Sequence, residues 1–316
     1  MAAFLLRRTG LFVLSLLVAS LLVFGLLRLL SGDMAQVIAG VEATPAQVEL
    51  LRVKLGTDRP LVVQYLDWIG GVVTGDFGTS ALSGVSVSAE LGAKLTVTAP
   101  LVAGSMVLAV LIAVPLGVVA AVRHRTRVGV GIAGLSQLGI ALPTLWVGLV
   151  LAIVFAVLLR WLPVQGFPTT GWAQPGRAVR SLVLPCVTLA LSEGAVLLRF
   201  VRSATLGVLH QDMLRTARAT GLTRTGALLR HGLRNAALPV MSILGLQVAA
   251  LLVGAVVVER VFSLPGVGTM LLADVGNRDL IKVQGEVLLL TAVVLTIGFL
   301  IDVGHRLVDP RLRVAR

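Results

Sequence analysis

The feature that most restricts the fold of this chain is a set of six apolar segments, each about as long as a bilayer is thick. An α-helix rises 1.5 Å per residue, so about 20 apolar residues cross a hydrocarbon core of ~30 Å. Only 13% of the residues are charged, too few for the surface of a soluble domain. We therefore expect an all-α integral membrane protein with six transmembrane helices. The expected crossings are Leu11–Leu30, Pro100–Val122, Ile132–Leu159, Leu182–Phe200, Leu238–Val258 and Val287–Val303.

Basic residues are distributed unevenly among the segments between these crossings. Arginines dominate both termini and the second and fourth connections, whereas the first, third and fifth connections together balance their bases with acids. The positive-inside rule then predicts a multi-pass protein of the inner (cytoplasmic) cell membrane with both termini cytoplasmic. Topology also explains the net charge of +12, because no aromatic-basic platform for nucleic acid accompanies it. We therefore expect the chain to contact membrane lipid and not to bind nucleic acid.

The first outside segment, residues 31–99, is too long to be a simple connector and has helix signals of its own. Thr44, Pro45 and Gln47 have the spacing of a capping box with proline at the first helical position, and Gly56 is a terminator. A second amphipathic helix is expected after Pro60. Its apolar side is predicted to carry Leu61, Tyr65, Trp68, Ile69 and Val72. We expect residues 31–99 to be an extracytoplasmic helical insertion, whose aromatic residues also suit the membrane interface.

The loop from Gln211 to Pro239, called here the 211–239 loop, is polar and arginine-rich although it lies between two apolar crossings. Asp212 is predicted to cap a helix over Met213–Thr220, and Thr223 to cap a second helix from Arg224 to about Asn235. Gly221 supplies a left-handed residue between them. One apolar side is expected on each helix, with arginines on other faces, a pattern that suits docking into the groove of a partner. The expected apolar residues are Leu209, Met213 and Ala217 on the first side and Leu222, Leu229 and Leu233 on the second.

The 211–239 loop resembles the coupling loop of importer-type ABC permeases, and most closely that of the dipeptide, oligopeptide and nickel importers. The matching residues are Arg215-Thr216-Ala217-Arg218-Ala219-x-Gly221, His231-x-Leu233-Arg234-Asn235-Ala236 and Pro239. The outside segments resemble the same family at Leu55-Gly56-x-Asp58-x-Pro60, Gly75-Asp76-Phe77-Gly78 and Pro265-Gly266-x-Gly268. The resemblance implies the ABC importer permease fold: a single transmembrane permease domain over residues 1–316, with residues 202–237 as its cytoplasmic coupling loop.

The resemblance also implies a function and partners. The chain would translocate dipeptides or oligopeptides, with nickel also open, beside a second homologous permease in a heterodimer. ATP-binding subunits would dock on the loop, and an extracytoplasmic solute-binding protein would deliver the substrate. The residues implied for ATPase coupling are Arg215, Thr216, Ala217, Arg218, Gly221, Leu222, Leu229, His231, Leu233 and Arg234.

Two polar residues at membrane depth, Glu193 and Gln247, are candidates for the translocation pathway. Glu193 has a structural alternative as a protonated or arginine-paired carboxyl. For Gln247 the favoured alternative is a hydrogen bond to a neighbouring helix, because small residues surround it in the sequence. Glu193 could also be the ion site of a secondary transporter driven by an ion gradient, which is the alternative function.

Motifs for catalysis are absent from the sequence. The three lysines lack the glycine and Ser or Thr neighbours of a phosphate-binding loop, so ATP hydrolysis is expected in partner subunits. No catalytic residue, metal site or cofactor is predicted, since there is one cysteine and no metalloprotease or serine-hydrolase motif. An intramembrane serine protease built on Ser136 is not expected, because His305 is predicted to lie too far from that serine.

Overall fold

A computed structural model describes residues 2–31, 34–40, 42–209 and 211–308, and the side chains of a few further residues within helices are left undescribed. Within these ranges the chain is helical, and the only strand-like pairing is an isolated bridge between Thr79 and Ser86. The helices are α1 Ala2–Ser31, α2 Met34–Ala39, α3 Pro45–Leu55, α4 Leu61–Val73, α5 Val87–Val122, α6 Arg127–Ala141, α7 Thr144–Leu151, α8 Pro175–Leu209, α9 Asp212–Ala219, α10 Arg224–Ala227, α11 Leu233–Val261, α12 Val267–Asn277 and α13 Leu280–Val308.

Five helices are long and apolar enough to cross a membrane, and a bent pair brings the number to six if it counts as one span. The five are α1, α5, α8, α11 and α13, each of which includes one of the expected crossings. Their apolar side chains are exposed in many places: Leu111 is 65% exposed, and Leu246 and Val253 are each 71% exposed. Such surfaces require a lipid environment, so the all-α membrane class is confirmed.

The third crossing is not the single helix predicted over Ile132–Leu159. Its two halves, α6 and α7 with a π-helical extension Ala152–Leu158, meet at 103°. The break falls at Pro143, which precedes α7, while Leu142 before it is extended (φ −84°, ψ 125°). Proline disfavours the α conformation at the preceding residue and lacks an N–H donor. Pro143 was expected inside a crossing, and it instead separates two helices.

Several helices extend beyond the expected crossings. α5 begins at Val87, so the last residues of the predicted 31–99 insertion are the first turns of a membrane helix. α11 begins at Leu233 and includes Pro239, which was expected at the end of the loop. Pro115 and Pro185 lie inside α5 and α8, as the sequence predicts.

The described chain divides into two compact units. The first comprises Met1–Thr98 and Pro265–Thr296. In it the predicted capping box of α3 is present: Thr44 accepts from the Gln47 amide, the Gln47 side chain accepts from the Thr44 amide, and Gly56 ends the helix at φ 66°. Helix α4 turns its aromatic residues to α1, with Tyr65 and Trp68 packed on Phe24. Leu61, the first residue of this helix, is 61% exposed.

The second unit comprises Ala99–Leu264 and Ile297–Arg316. Helix α8 lies at its centre, packed against α6, α7 and α11. Leu197, Leu198 and Val201 of α8 form an apolar cluster with Ala113 of α5. The approach of α5 to α8 is so close at Gly117 that a Cβ there would lie 2.7 Å from Val201 Cγ1. Small residues therefore set the distance between these membrane helices.

Candidate functional site

The hinge of the 211–239 loop is formed by Gly221, which follows α9 with φ +97°. The Leu222 amide donates to the Ala217 carbonyl at 3.3 Å, which is the long-range bond of a Schellman motif. Such a motif needs a left-handed residue at the position of Gly221, and glycine adopts this conformation without strain. Helix α9 begins one residue earlier than predicted, at Asp212, and the hinge lies where the sequence predicts it.

The second helix of the loop starts as predicted but does not end as predicted. Thr223 caps it, since its Oγ1 accepts from the Gly226 amide at 3.1 Å. From α10 the chain passes through a π-helical turn, Leu228–Gly232, directly into α11. The predicted separate helix ending near Asn235 is wrong, because the wide turn keeps the backbone helical. The loop is thus a short helix joined by the hinge to the start of a membrane helix.

The inward side of the loop packs on the membrane helices of the second unit, to which the loop itself belongs. Leu228 and Ala227 are fully buried in a cluster with Val208 of α8 and Ala236 of α11. Ala217 and Leu222 pack against this cluster on both sides of the hinge. Other partly buried members are Val118, Val122, Ala204 and Leu209. The loop therefore contacts α5, α8 and α11 through one apolar cluster.

The outward side of the loop carries fewer apolar side chains than the inward side. Met213 is 39% exposed and Leu229 is 58% exposed. The predicted common side of Leu222, Leu229 and Leu233 therefore does not hold, because the first of these packs inward and the second faces outward. The π-helical turn buries Leu228 where regular spacing favoured Leu229. Leu233 is half-buried.

The predicted polar residues of the loop are placed as follows. Thr216 is exposed, and its hydroxyl donates to the Asp212 carbonyl at 3.1 Å within α9. The side chains of Arg215, Arg218, His231 and Arg234 lie outside the described part of the structure. Their backbones belong to α9, the π-helical turn and α11.

The structure brings Glu193 of α8 and Gln247 of α11 together. Gln247 Nε2 donates to the Glu193 carbonyl at 2.7 Å and lies 3.5 Å from Glu193 Oε2. Gln247 is buried, and Glu193 is half-buried. The predicted hydrogen bond from Gln247 to a neighbouring helix is confirmed. The pair fixes α11 against α8 at membrane depth.

The serine weighed for proteolysis has a structural role. Ser136 is buried in α6 and donates its hydroxyl proton to the Ala195 carbonyl of α8 at 2.9 Å. His305 instead lies 3.3 Å from the Ser242 hydroxyl. The expected separation of Ser136 from His305 agrees with these partners.

Sequence reasoning missed a charged cluster in the first unit. Lys282 pairs with Glu90 at 2.8 Å and with Asp274 at 3.0 Å, and Glu286 is entirely buried near them. In the sequence Lys282 is one of three lysines that lack the neighbours of a phosphate-binding loop, and its acidic partners are not evident. The signal that could have found the cluster is the four-residue spacing of Lys282 and Glu286 at the start of an apolar helix, where charges need partners.

The chain matches known transport proteins over nearly its whole length. Residues 113–314 match the family described as "Binding-protein-dependent transport system inner membrane component", and residues 1–93 match its N-terminal companion family. The glutathione transport system permease protein GsiC of Salmonella choleraesuis (strain SC-B67) is 40% identical over 300 residues, which is 95% of each chain. GsiC of Escherichia coli (strain K12) is 39% identical over 302 residues, again 95% of each chain.

A further relative is the probable peptide ABC transporter permease protein y4tP of Sinorhizobium fredii (strain NBRC 101917 / NGR234). It is 36% identical over 313 residues, which is 99% of this chain and 100% of the relative. The family resemblance predicted from the 211–239 loop and the outside segments is therefore confirmed. The chain belongs to the inner-membrane permease components of binding-protein-dependent ABC importers, in the peptide and nickel importer family.

Proposed function

We propose that this chain is the permease subunit through which an ABC importer moves short peptides across the cytoplasmic membrane. The observation that carries the proposal is the arrangement of the 211–239 loop: a helix, a left-handed glycine and an exposed leucine, attached to the membrane helices by a buried cluster. ATP-binding subunits dock on the outward side of this loop. The chain itself is a transport component and not an enzyme.

The loop has two sides, which suit it to transmit motion. Leu229 and Met213 offer apolar surface to a partner's groove, whereas Ala217 and Leu222 pack on the cluster that joins α5, α8 and α11. Packed apolar interiors are dense and transmit displacement. When an ATP-binding subunit moves the loop, the cluster carries the displacement to three membrane helices. In this proposal Leu229 and Met213 contact the partner on the outward side, and Ala217 and Leu222 pass its motion to the cluster on the inward side.

Short peptides are the substrate class that the relatives favour. Two of them are named for glutathione, which is a tripeptide, and one for peptides. A solute-binding protein delivers the peptide on the outer side, and a second, homologous permease forms the other half of the pathway. Glu193 and Gln247 line that pathway only if their paired side chains become accessible during transport. Family membership sets aside the alternative of a self-sufficient secondary transporter.

Leu229→Asp tests the docking surface, because Leu229 is exposed and a charge there spoils a dry groove without opening the buried cluster. We expect peptide uptake to fall by about tenfold or more in vesicles that contain the full transporter, ATP and the binding protein, as for the loss of one interface anchor of ~1.4 kcal/mol or more. Leu229→Met is the matched control and retains uptake. The proposal fails if Leu229→Asp co-purifies with the ATP-binding subunits and transports like the parent protein.

A further inference from the structure

Four charged side chains from three helices meet in the first unit. Glu90 lies in the first turn of α5, Asp274 in α12, and Lys282 and Glu286 one turn apart in α13. Lys282 Nζ lies 2.8 Å from Glu90 Oε2, donates to Asp274 Oδ1 at 3.1 Å and is 3.0 Å from Asp274 Oδ2. One ammonium therefore serves two carboxylates from two different helices.

The fourth member of the cluster is Glu286, which makes no ion pair with the Lys282 ammonium among the described residues. It is entirely buried, and neither of its carboxyl oxygens meets a hydrogen-bond donor among the described residues. Its carboxyl interacts with that of Asp274, whose Oδ2 is ion-paired with Lys282 at 3.0 Å but has no hydrogen bond of good geometry in the described part of the chain. Ionised carboxylates only accept hydrogen bonds, so two of them can join only when one carries a proton.

The charges of the cluster do not balance without an additional positive charge. Asp274, Glu286 and Lys282 are each more than nine-tenths buried, and their two carboxylates and one ammonium sum to −1, which one proton would neutralise. Glu90 keeps 28% of its side chain exposed, so water as well as Lys282 can solvate it. Glu286 has no such access to water. A buried charge without a partner costs several kcal/mol, and two carboxyls in contact relieve this cost by sharing one proton.

We infer that Glu286 and Asp274 form a proton-binding site in which one shared proton holds α12 against α5 and α13. With the proton bound, a Glu286 hydroxyl donates to Asp274 Oδ2, and Lys282 donates to Asp274 Oδ1 and pairs with Glu90. Every carboxyl then has a partner. The charged groups that act on Glu286 are Asp274, Lys282 and Glu90, while Asp279 nearby in sequence accepts a hydrogen bond from Ser80.

Loss of the proton loosens one end of α12. Its N-terminal half stays attached by Val267 and Met270, which pack on Val87 and Leu91 of α5. Asp274 lies in its C-terminal half, where an ionised Glu286 would repel it. Separated carboxyls lose their protons at about pH 4, whereas the paired site retains one at higher pH, so its contribution to stability decreases as pH rises. Raising pH should therefore open α12 near Asp274 first.

The test is hydrogen exchange of α12 in the full chain in lipid nanodiscs, with rates corrected for intrinsic pH dependence. In the parent protein, protection around Asp274 should fall as pH rises, by up to about tenfold per pH unit, the limit for one released proton. Glu286→Gln places a permanent donor beside Asp274 and should make this protection independent of pH. The infrared band of protonated carboxyls should be weaker in Glu286→Gln than in the parent.

Glu49→Gln is the matched control, because Glu49 is an exposed glutamate paired with Arg52 on α3 and should leave both measurements unchanged. Asp274→Asn provides a second variant that removes the shared proton if Glu286→Gln does not fold. Protection that is flat with pH in the parent, or a protonated-carboxyl band of unchanged intensity in Glu286→Gln, overturns the proposal. So does protection that follows the sodium concentration at fixed pH, since a metal cation would then be the additional charge.

Discussion

Gly221 is the residue on which the geometry of the 211–239 loop most directly depends. Its φ of +97° turns the chain between α9 and α10 and lets Leu222 return its amide to Ala217. Apart from its two chain neighbours, no atom of the residues that the structure describes lies within 4 Å of the position that a Cβ would take there. A side chain at this position is therefore disfavoured by backbone strain alone, not by a clash. The left-handed backbone that the hinge requires can therefore be tested separately from the packing around it.

Gly221→Ala should weaken coupling without unfolding the membrane helices. The left-handed conformation costs about 1–2 kcal/mol for a residue with a Cβ, so α9 loses its fixed position on the cluster. Gly207→Ala is the control, because Gly207 lies inside α8, also has an open Cβ position and needs no left-handed backbone. Peptide uptake at equal protein levels is the measurement. Equal loss in both variants would mean that the hinge has no special role.

At the scale of elements, local signals were predicted well and long-range ones were not. The capping box at Thr44, the hinge at Gly221 and the cap at Thr223 depend on residues within a few positions of one another, and all three are present. The continuation of the loop into α11 depends on a π-helical turn stabilised by burial of Leu228, which periodicity does not reveal. The cluster around Lys282 joins residues almost 200 positions apart, so only the fold brings them together.

The packing of α5 on α8 gives a prediction at the same scale. A Cβ at Gly117 would lie 2.7 Å from Val201 Cγ1 and 3.0 Å from the Leu198 carbonyl oxygen. Gly117→Ala should therefore destabilise the protein by about 1–3 kcal/mol, the usual cost of overpacking. Gly131→Ala in α6 should be neutral or stabilising, because no described atom outside the local helix backbone lies within 4 Å of the added Cβ. Melting temperatures of the two purified variants distinguish them, and equal values would contradict the close approach.

For the whole molecule, the distribution of arginines predicts the orientation in the membrane. A reporter fused after Ser80 should lie outside, and reporters fused after Thr223 or Arg316 should lie inside, because short arginine-rich connections remain cytoplasmic. The bent pair α6 and α7 could be one broken span or a re-entrant segment, and the two cases predict different topologies. If that pair entered and left the membrane on one side, five crossings would remain and Thr223 would lie on the same side as Ser80. Accessibility to a membrane-impermeant reagent at these positions decides between the two topologies.

The energy source is also a property of the whole molecule. None of the three lysines has the sequence context of a phosphate-binding loop, so the purified chain should neither bind nor hydrolyse ATP. Transport should appear only when a homologous permease, ATP-binding subunits and a solute-binding protein are present together.

Reconstitution of the chain alone with an imposed proton gradient tests the opposite case, transport without ATP or partner subunits. There Glu193, which accepts a hydrogen bond from Gln247, is the carboxyl that the sequence marks as the candidate ion site. Glu193→Gln should change uptake by the complete system only modestly, because the Gln247 bond to the Glu193 carbonyl is retained. Accumulation of peptide by the chain alone, abolished in Glu193→Gln, would mean that the ion gradient and not ATP drives transport.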